Sequence, residues 1–243
     1  MKSRIIIAVL LICLTLSLAA CNNKSNGGTV FPSKEAENTT KTEASRKETE
    51  APKGETSAPE DNKSSTVRGV VTDEAYVNET LKVRVAIPDG WVALNDEQIA
   101  SANNMSYEMF EDTDVAEIVK NAGQLMDMMM SSPAGSSMNL IIQPANPVLA
   151  TYTDEQIFSL SQATYQAQFK AAGMELSTYE TVTMRVCGQD RTLLHLVLNM
   201  SGIETDEYQL WLRDSDEYSG ILTLTVMGGE DPQTILDGIT ILD

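Results

Sequence analysis

Four strand-like segments in succession constrain the fold of this chain more than any other feature. They cover residues 175–186, 191–200, 205–213 and 217–227. Turn-like sequences at 187–190 and 214–216 join neighbouring segments. Because short connections link adjacent strands only in antiparallel order, the pattern predicts an antiparallel meander. Residues 193–198 are apolar on both faces, so we expect that strand to be central and covered on both sides.

Three further strands are predicted before the meander. Residues 81–87 alternate apolar and polar side chains, so the apolar set should face the core, and residues 74–78 form a plausible hairpin with them. The turn at 88–90 ends this pair with Pro, Asp and Gly. Residues 138–142 read as a buried strand. The core-facing residues predicted for the second strand are Leu81, Val83, Val85 and Ile87.

Helices are predicted between and after these strands. Two begin at capping sequences, residues 95–98 and 153–156, where Asn or Thr stands three positions before Gln. A third, amphipathic helix is predicted across residues 114–131 from apolar side chains at helical spacing. Asp231 and Pro232 predict the start of a closing helix, as N-cap and first helical residue.

The assembled order predicts an α+β fold: one antiparallel sheet of about six to seven strands with helices on both faces. The Tyr-Val-Asn start at 76–78, the Ile-Pro-Asp-Gly-Trp turn at 87–91, the meander and the closing helix resemble the PsbP/Mog1-like α/β/α sandwich. Small uncharacterised bacterial lipoproteins of this kind are particularly similar, over about residues 70–243. The resemblance implies an assembly factor or protein-binding module, and it carries over no catalytic residue.

The N-terminus resembles a bacterial lipoprotein signal. Lys2 and Arg4 precede an apolar run that is too short to span a membrane comfortably, and residues 18–21 read Leu-Ala-Ala-Cys. This ending resembles the lipobox, whose cysteine becomes residue one and carries a diacylglyceryl anchor. We therefore expect a signal peptide at 1–20, lipidation of Cys21, and an extracytoplasmic protein held to the cell membrane by lipid.

Residues 21–68 are expected to form a disordered tether below the globular domain. They are rich in Ser, Thr, Lys, Glu and Pro and hold almost no apolar side chains, so they cannot bury enough surface to order themselves. A flexible chain of this length spans about 35–40 Å on average. Residues 69–243 are then a single acidic α+β domain. With Cys13 removed and Cys21 lipidated, this domain is predicted to contain no internal disulfide.

The charge of the predicted domain excludes one class of partner. Of the 17 basic and 35 acidic residues in the chain, 7 and 27 lie in residues 69–243, a net charge of −20. Such a surface repels phosphate backbones, so we expect no nucleic-acid binding. The lipid on Cys21 provides the contact with the membrane, and another envelope protein is the expected partner.

No catalytic, cofactor or metal site is predicted. His195 is the only histidine, no nucleophile elbow accompanies it, and it lies in an apolar strand, so we interpret it as a hydrogen-bonded core or sheet-face residue. Cys187 is interpreted as a small apolar residue in a strand. One histidine and one remaining cysteine cannot form a zinc site.

A methionine-rich segment and two acidic segments leave other functions open. Thioethers are soft metal ligands, so the methionines could bind a metal. Core packing explains them more simply, and an adaptable contact surface for a partner is a further possibility. Two acidic segments, residues 111–117 and 214–217, could attract cations, although neither has the spacing of a calcium loop. The methionines concerned are Met126, Met128, Met129, Met130 and Met138.

Three hypotheses follow from the sequence. The first is a non-catalytic protein-binding or accessory module, the second a small-ligand or cation-binding lipoprotein, and the third, ranked last, a hydrolase that depends on His195. The absence of a recognisable catalytic set favours the first.

Overall fold

A computed structural model describes residues 67–112, 114–213 and 215–242. The predicted signal peptide, Cys21 and nearly all of the predicted tether lie outside these residues, so those expectations remain predictions. None of the helices in the described residues combines the length and the apolar composition that a membrane span requires.

Seven antiparallel strands form the larger of two sheets, in the order β4-β5-β6-β10-β9-β8-β7. Their bounds are Val92–Ala93 (β4), Leu125–Ser131 (β5), Ser137–Pro144 (β6), Glu175–Val186 (β7), Gln189–Met200 (β8), Ile203–Leu212 (β9) and Tyr218–Val226 (β10). The four predicted meander strands are β7 to β10, which confirms the prediction that they pair as consecutive hairpins.

Two-residue turns fix the register of the meander. Cys187 and Gly188 connect β7 to β8 with φ values of 55° and 72°, and Ser201 and Gly202 connect β8 to β9 with 55° and 83°. Positive φ at both turn residues gives a twist that matches the flanking strands. Cys187 is therefore a turn residue, as the turn-like sequence at 187–190 predicted, and its interpretation as a strand residue is wrong.

A second sheet of four strands, β1-β2-β3-β11, was not predicted as a separate element. Its bounds are Val70–Val71 (β1), Ala75–Asn78 (β2), Val83–Ala86 (β3) and Ile239–Ile241 (β11). The predicted hairpin before residue 88 is β2 paired with β3. The closing helix is followed directly by a strand, because Ile239 belongs to β11 and pairs with Val85.

Five α-helices are present in the described residues. They are Asp96–Ala102 (α1), Tyr107–Asp112 (α2), Val115–Ala122 (α3), Asp154–Ala171 (α4) and Pro232–Leu236 (α5), with a 3₁₀ turn at Leu149–Thr151. Both predicted capping boxes form, at Asn95 with Gln98 and at Thr153 with Gln156. Asp231 caps α5 as predicted.

The core has two parts, which confirms an α+β fold with helices on both faces of the large sheet. On one face, Leu140 and Leu224 belong to a cluster that includes residues of the small sheet and of α1, α2, α3 and α5. On the other face, α4 packs Phe158 and Phe169 against β8, β9 and β10.

β8 is fully covered on one side only: Leu194, Leu196 and Leu198 are buried under α4, whereas on the opposite side Leu193 is buried but His195 and Val197 are partly exposed. The expectation of a central strand covered on both sides is therefore wrong, because β8 lies one strand from the sheet edge.

The predicted helix across 114–131 is wrong in its second half. Helix α3 ends at Ala122, Gly123 adopts φ 81° as its C-cap, and residues 125–131 form β5. Nearly every position from 125 to 130 is apolar, so the segment matches a helical period and a strand buried on both faces equally well. The segment forms a strand because it pairs with β4 and β6 and because Gly123 ends α3 in the left-handed conformation.

Candidate functional site

Pairing within the meander brings a small polar cluster together on the outer part of the large sheet. Glu180 on β7 lies opposite His195 on β8, and His195 lies opposite Tyr208 on β9. Asp206 is two residues before Tyr208 on the same face of β9. Residues far apart in sequence thus form one group, the His195 cluster, made of Glu180, His195, Asp206 and Tyr208.

Both ring nitrogens of His195 face carboxylates. Nδ1 lies 3.1 Å from Oε1 of Glu180, and Nε2 lies 2.9 Å from Oδ1 of Asp206. Only the doubly protonated ring can donate to both at once. The ring also stacks on Tyr208, with centroids 4.7 Å apart and planes 13° from parallel. The His195 side chain is 14% exposed, whereas Glu180 and Asp206 are 56% and 46% exposed.

This geometry makes His195 a support for two exposed carboxylates. A general base needs a ring nitrogen directed at a substrate or a nucleophile, and here both nitrogens contact acidic side chains. The prediction of a hydrogen-bonded sheet-face histidine is therefore confirmed. Negative charge is concentrated around the ring: partial burial, then Asp206, Asp231 and Glu180, raise the pKa of Tyr208.

Strand β7, which carries Glu180, is an edge strand of the large sheet. Near its C-terminal end, the side chain of Gln233 bonds the outward backbone of Arg185: Nε2 donates to the Arg185 carbonyl at 2.7 Å, and Oε1 accepts from its N–H at 3.4 Å. Among the described residues, α5 hydrogen-bonds the outward backbone of β7 at Arg185, and the His195 cluster lies further along the same edge.

The methionine-rich segment lies in the core. Met130 on β5 pairs with Met138 on β6, and Met126, Met128 and Met129 are also buried, with at most 7% exposure. Sequence analysis placed four of the five on a helix, but the interpretation as core packing holds. Among the described residues, no group of three or more His, Cys, Asp or Glu could hold a metal ion.

The two acidic segments approach each other at a surface cavity of about 500 Å³. Asp114 caps α3 by accepting from the backbone N–H of Ala116 at 2.9 Å, and Glu117 and Glu217 also line the cavity. Lys120 lies in the same wall and supplies a positive charge. Asp214 lies outside the described residues.

Sequence analysis missed a buried polar network around Asp127 on β5. Its carboxylate accepts from the backbone N–H of Gly69 at 2.7 Å, from Nε of Arg68 at 3.0 Å and from Nδ2 of Asn78 at 3.2 Å, and Tyr76 donates its hydroxyl to the same group. Burial and then the charge of Asp127 raise the pKa of Tyr76 well above its usual value. The available signal was a lone aspartate within an otherwise apolar strand.

Comparisons with known proteins find likeness at the level of structure. No protein-family profile matches the chain, and no curated protein sequence matches it. The solution structure of cyanobacterial PsbP (CyanoP) from Synechocystis sp. PCC 6803 is similar, with a TM-score of 0.39 and 12% sequence identity. The match covers 71% of this chain and 95% of that chain.

Proposed function

We propose that this chain is a membrane-anchored, extracytoplasmic lipoprotein that acts as a non-catalytic accessory module by binding another envelope protein. The observation that carries the binding role is the His195 cluster, where a half-buried imidazole holds two exposed carboxylates, one on each strand beside its own. Charged groups fixed on a sheet lose little side-chain entropy when a partner binds. Fixed negative charge also steers association with a basic surface and adds to specificity.

The location in this proposal comes from the lipobox-like residues 18–21. A diacylated cysteine anchors a protein stably, whereas one acyl chain gives only marginal binding. The excess negative charge of residues 69–243 does not favour an anionic membrane surface. Lipid on Cys21 is therefore the proposed contact with the membrane, and protein is the proposed partner of the domain.

In-cell crosslinking of the full-length chain, followed by identification of the attached proteins, tests the proposal. We expect a recurrent partner whose yield falls in Cys21→Ser and in the double variant Glu180→Gln, Asp206→Asn. Glu117→Gln is the matched control, because it removes an acidic group at the separate cavity. Absence of any partner above background, or an unchanged yield in the double variant, contradicts the proposed role of the His195 cluster.

A second candidate function is binding of a small cationic ligand. The observation that favours it is the surface cavity whose lining includes Asp114, Glu117 and Glu217. Ligand binding to the folded state raises the melting temperature, so a thermal-shift panel of small organic amines tests it. A rise with native protein that disappears in Glu117→Gln supports this function, and no rise across the panel contradicts it.

A further inference from the structure

The outer edge of β7 is long and has few of the features that normally protect a strand edge from pairing with another chain. β7 has 12 residues, Glu175–Val186, and in the described part of the chain it pairs only with β8. Exposed edges are usually blocked by lysine, proline, a bulge or a covering element. β7 contains neither lysine nor proline, and its one irregularity lies near its N-terminal end, between Leu176 and Thr178.

The turn geometry shows which backbone groups point away from β8. Val186 and Gln189 flank the two-residue turn and pair with each other, so residues at even positions from 178 to 186 bond to β8. Arg185 therefore points outward, in agreement with its two bonds to Gln233. By the same alternation, the N–H and C=O groups of Tyr179, Thr181 and Thr183 face outward at the open part of the edge.

The side chains beside this edge define what a new strand would meet. Glu180 is exposed, and Val182 and Met184 on the same face are half-buried apolar residues packed against the core. A neighbouring strand would place alternate side chains next to these three. A basic side chain would suit the position next to Glu180, and apolar side chains would suit the positions next to Val182 and Met184.

We propose that an extended, basic segment of another protein adds to the outer edge of β7 as an eighth strand, with the backbone of Tyr179, Thr181 and Thr183 as its main contacts. This inference rests on the proposed function and names the partner's chemistry. Addition of a strand gains affinity from backbone hydrogen bonds and specificity from alternate side chains. Charge complementarity selects the occupant, because two copies of a domain with net charge −20 repel each other, whereas a basic segment is attracted.

The probe for this proposal is a peptide of roughly eight residues, blocked at both ends, and the protein is the full chain in detergent. Three alternate positions on one face of the peptide carry one lysine and two valines, arranged to lie next to Glu180, Val182 and Met184, and the remaining positions are lysine. We expect binding, together with slowed hydrogen exchange at the amides of residues 179, 181 and 183. A peptide with N-methyl groups on the backbone amides of its pairing edge has the same charge and cannot form the ladder, so it should bind at least tenfold more weakly. A glutamate-valine peptide should not bind.

Matched variants test the protein side of the contact. Thr181→Pro removes an outward N–H, which an edge strand tolerates because no ladder bond to β8 is lost, and it should weaken binding at least tenfold. Thr181→Val keeps that N–H and should bind as the native chain does. Glu180→Gln should weaken lysine-peptide binding by up to about fivefold, as expected for one exposed ion pair.

Three results would overturn the inference. The first is equal affinity for the lysine peptide and its N-methylated form, which would show adsorption by charge alone. The second is slow exchange at residues 179–183 without peptide, lost on dilution, which would make a second copy the occupant. The third is slow hydrogen exchange at residues 179–183 that persists without peptide at every dilution but becomes fast when residues 22–66 are deleted. That result would make the chain's own tether the occupant. If no peptide binds but crosslinking still recovers a partner that needs Glu180 and Asp206, the proposed function stands and only strand addition fails.

Discussion

At the scale of single residues, the large sheet contains a buried acid that the proposed contact does not use. Glu207 on β9 is 6% exposed and lies on the side covered by α4. Gln209 donates to its Oε1 at 2.6 Å and in turn accepts from the hydroxyl of Tyr165 at 2.5 Å. Burial raises the pKa of Glu207 to about 7, although the bond from Gln209 partly opposes this shift. A charge at Glu207 therefore destabilises the fold.

We predict that Glu207 makes the protein less stable as the pH rises from about 4.5 to about 7. An unfolded glutamate loses its proton near pH 4.5, whereas the folded carboxyl keeps its proton until about pH 7. Across that window the contribution to the free energy of unfolding falls by about 3 kcal/mol. Urea unfolding of the native chain and of Glu207→Gln should show a difference in free energy that changes by this amount between the two pH values.

The control for this prediction is Glu204→Gln, which changes an exposed acid on the same strand. Its difference from the native chain should vary little with pH. A Glu207→Gln curve parallel to the native curve would contradict the prediction.

At the scale of elements, the sequence predicted most where a local chemical signal marks a boundary. Capping boxes at Asn95 and Thr153 gave the starts of α1 and α4, and Asp231 gave the start of α5. The second half of the 114–131 segment failed because an apolar run with one aspartate has no single period. The small sheet also escaped prediction, since β11 pairs with β3 across most of the chain length.

The candidate site was predictable only in part, because it depends on pairing between residues far apart in the sequence. The sequence showed that His195 lies on a strand without catalytic partners nearby. It did not show that β7 and β9 place Glu180 and Asp206 against its ring, because that depends on register between three strands. The sequence did not reveal that Asp127 and Glu207 are buried, because their burial depends on distant segments that pack over them.

Gly123 distinguishes the predicted long helix from the observed helix and strand. In a continuous helix, Gly123→Ala would stabilise the protein by about 1 kcal/mol. With φ at 81° as the C-cap of α3, we expect a loss of about 1 kcal/mol instead. No heavy atom lies within 4 Å of an added Cβ, so the loss comes from backbone conformation. Thermal unfolding measures the sign.

Gly123→Asn is the matched variant for this test. Asparagine tolerates the left-handed conformation better than alanine does, so its loss should be smaller. Stabilisation by alanine that exceeds the effect of asparagine would show that α3 continues past residue 123, because alanine is the better helix former.

At the scale of the whole molecule, the dominant property is the net charge of −20 in residues 69–243. We predict that salt raises the melting temperature by a few degrees between about 0.02 M and about 0.5 M NaCl, where the screening length falls from about 20 Å to about 4 Å. Self-repulsion of the folded domain weakens over this range. Calorimetry of the full chain measures the shift.

Choline chloride at the same ionic strength is the control for this prediction. Screening predicts the same shift with either salt. A rise with NaCl alone would identify specific binding of sodium ions, and a flat or falling melting temperature would contradict self-repulsion.

The Asp127 network has a mechanical consequence. Arg68 and Gly69, almost at the first described residue, are both bonded to Asp127 on β5, so tension applied through the N-terminal side of the chain is delivered to a strand inside the large sheet. The short strand β1 begins just beyond that attachment and is shielded from being peeled away first. A force applied through the N-terminus must therefore break the bonds of Arg68 and Gly69 to Asp127 before it can separate β1 from β2.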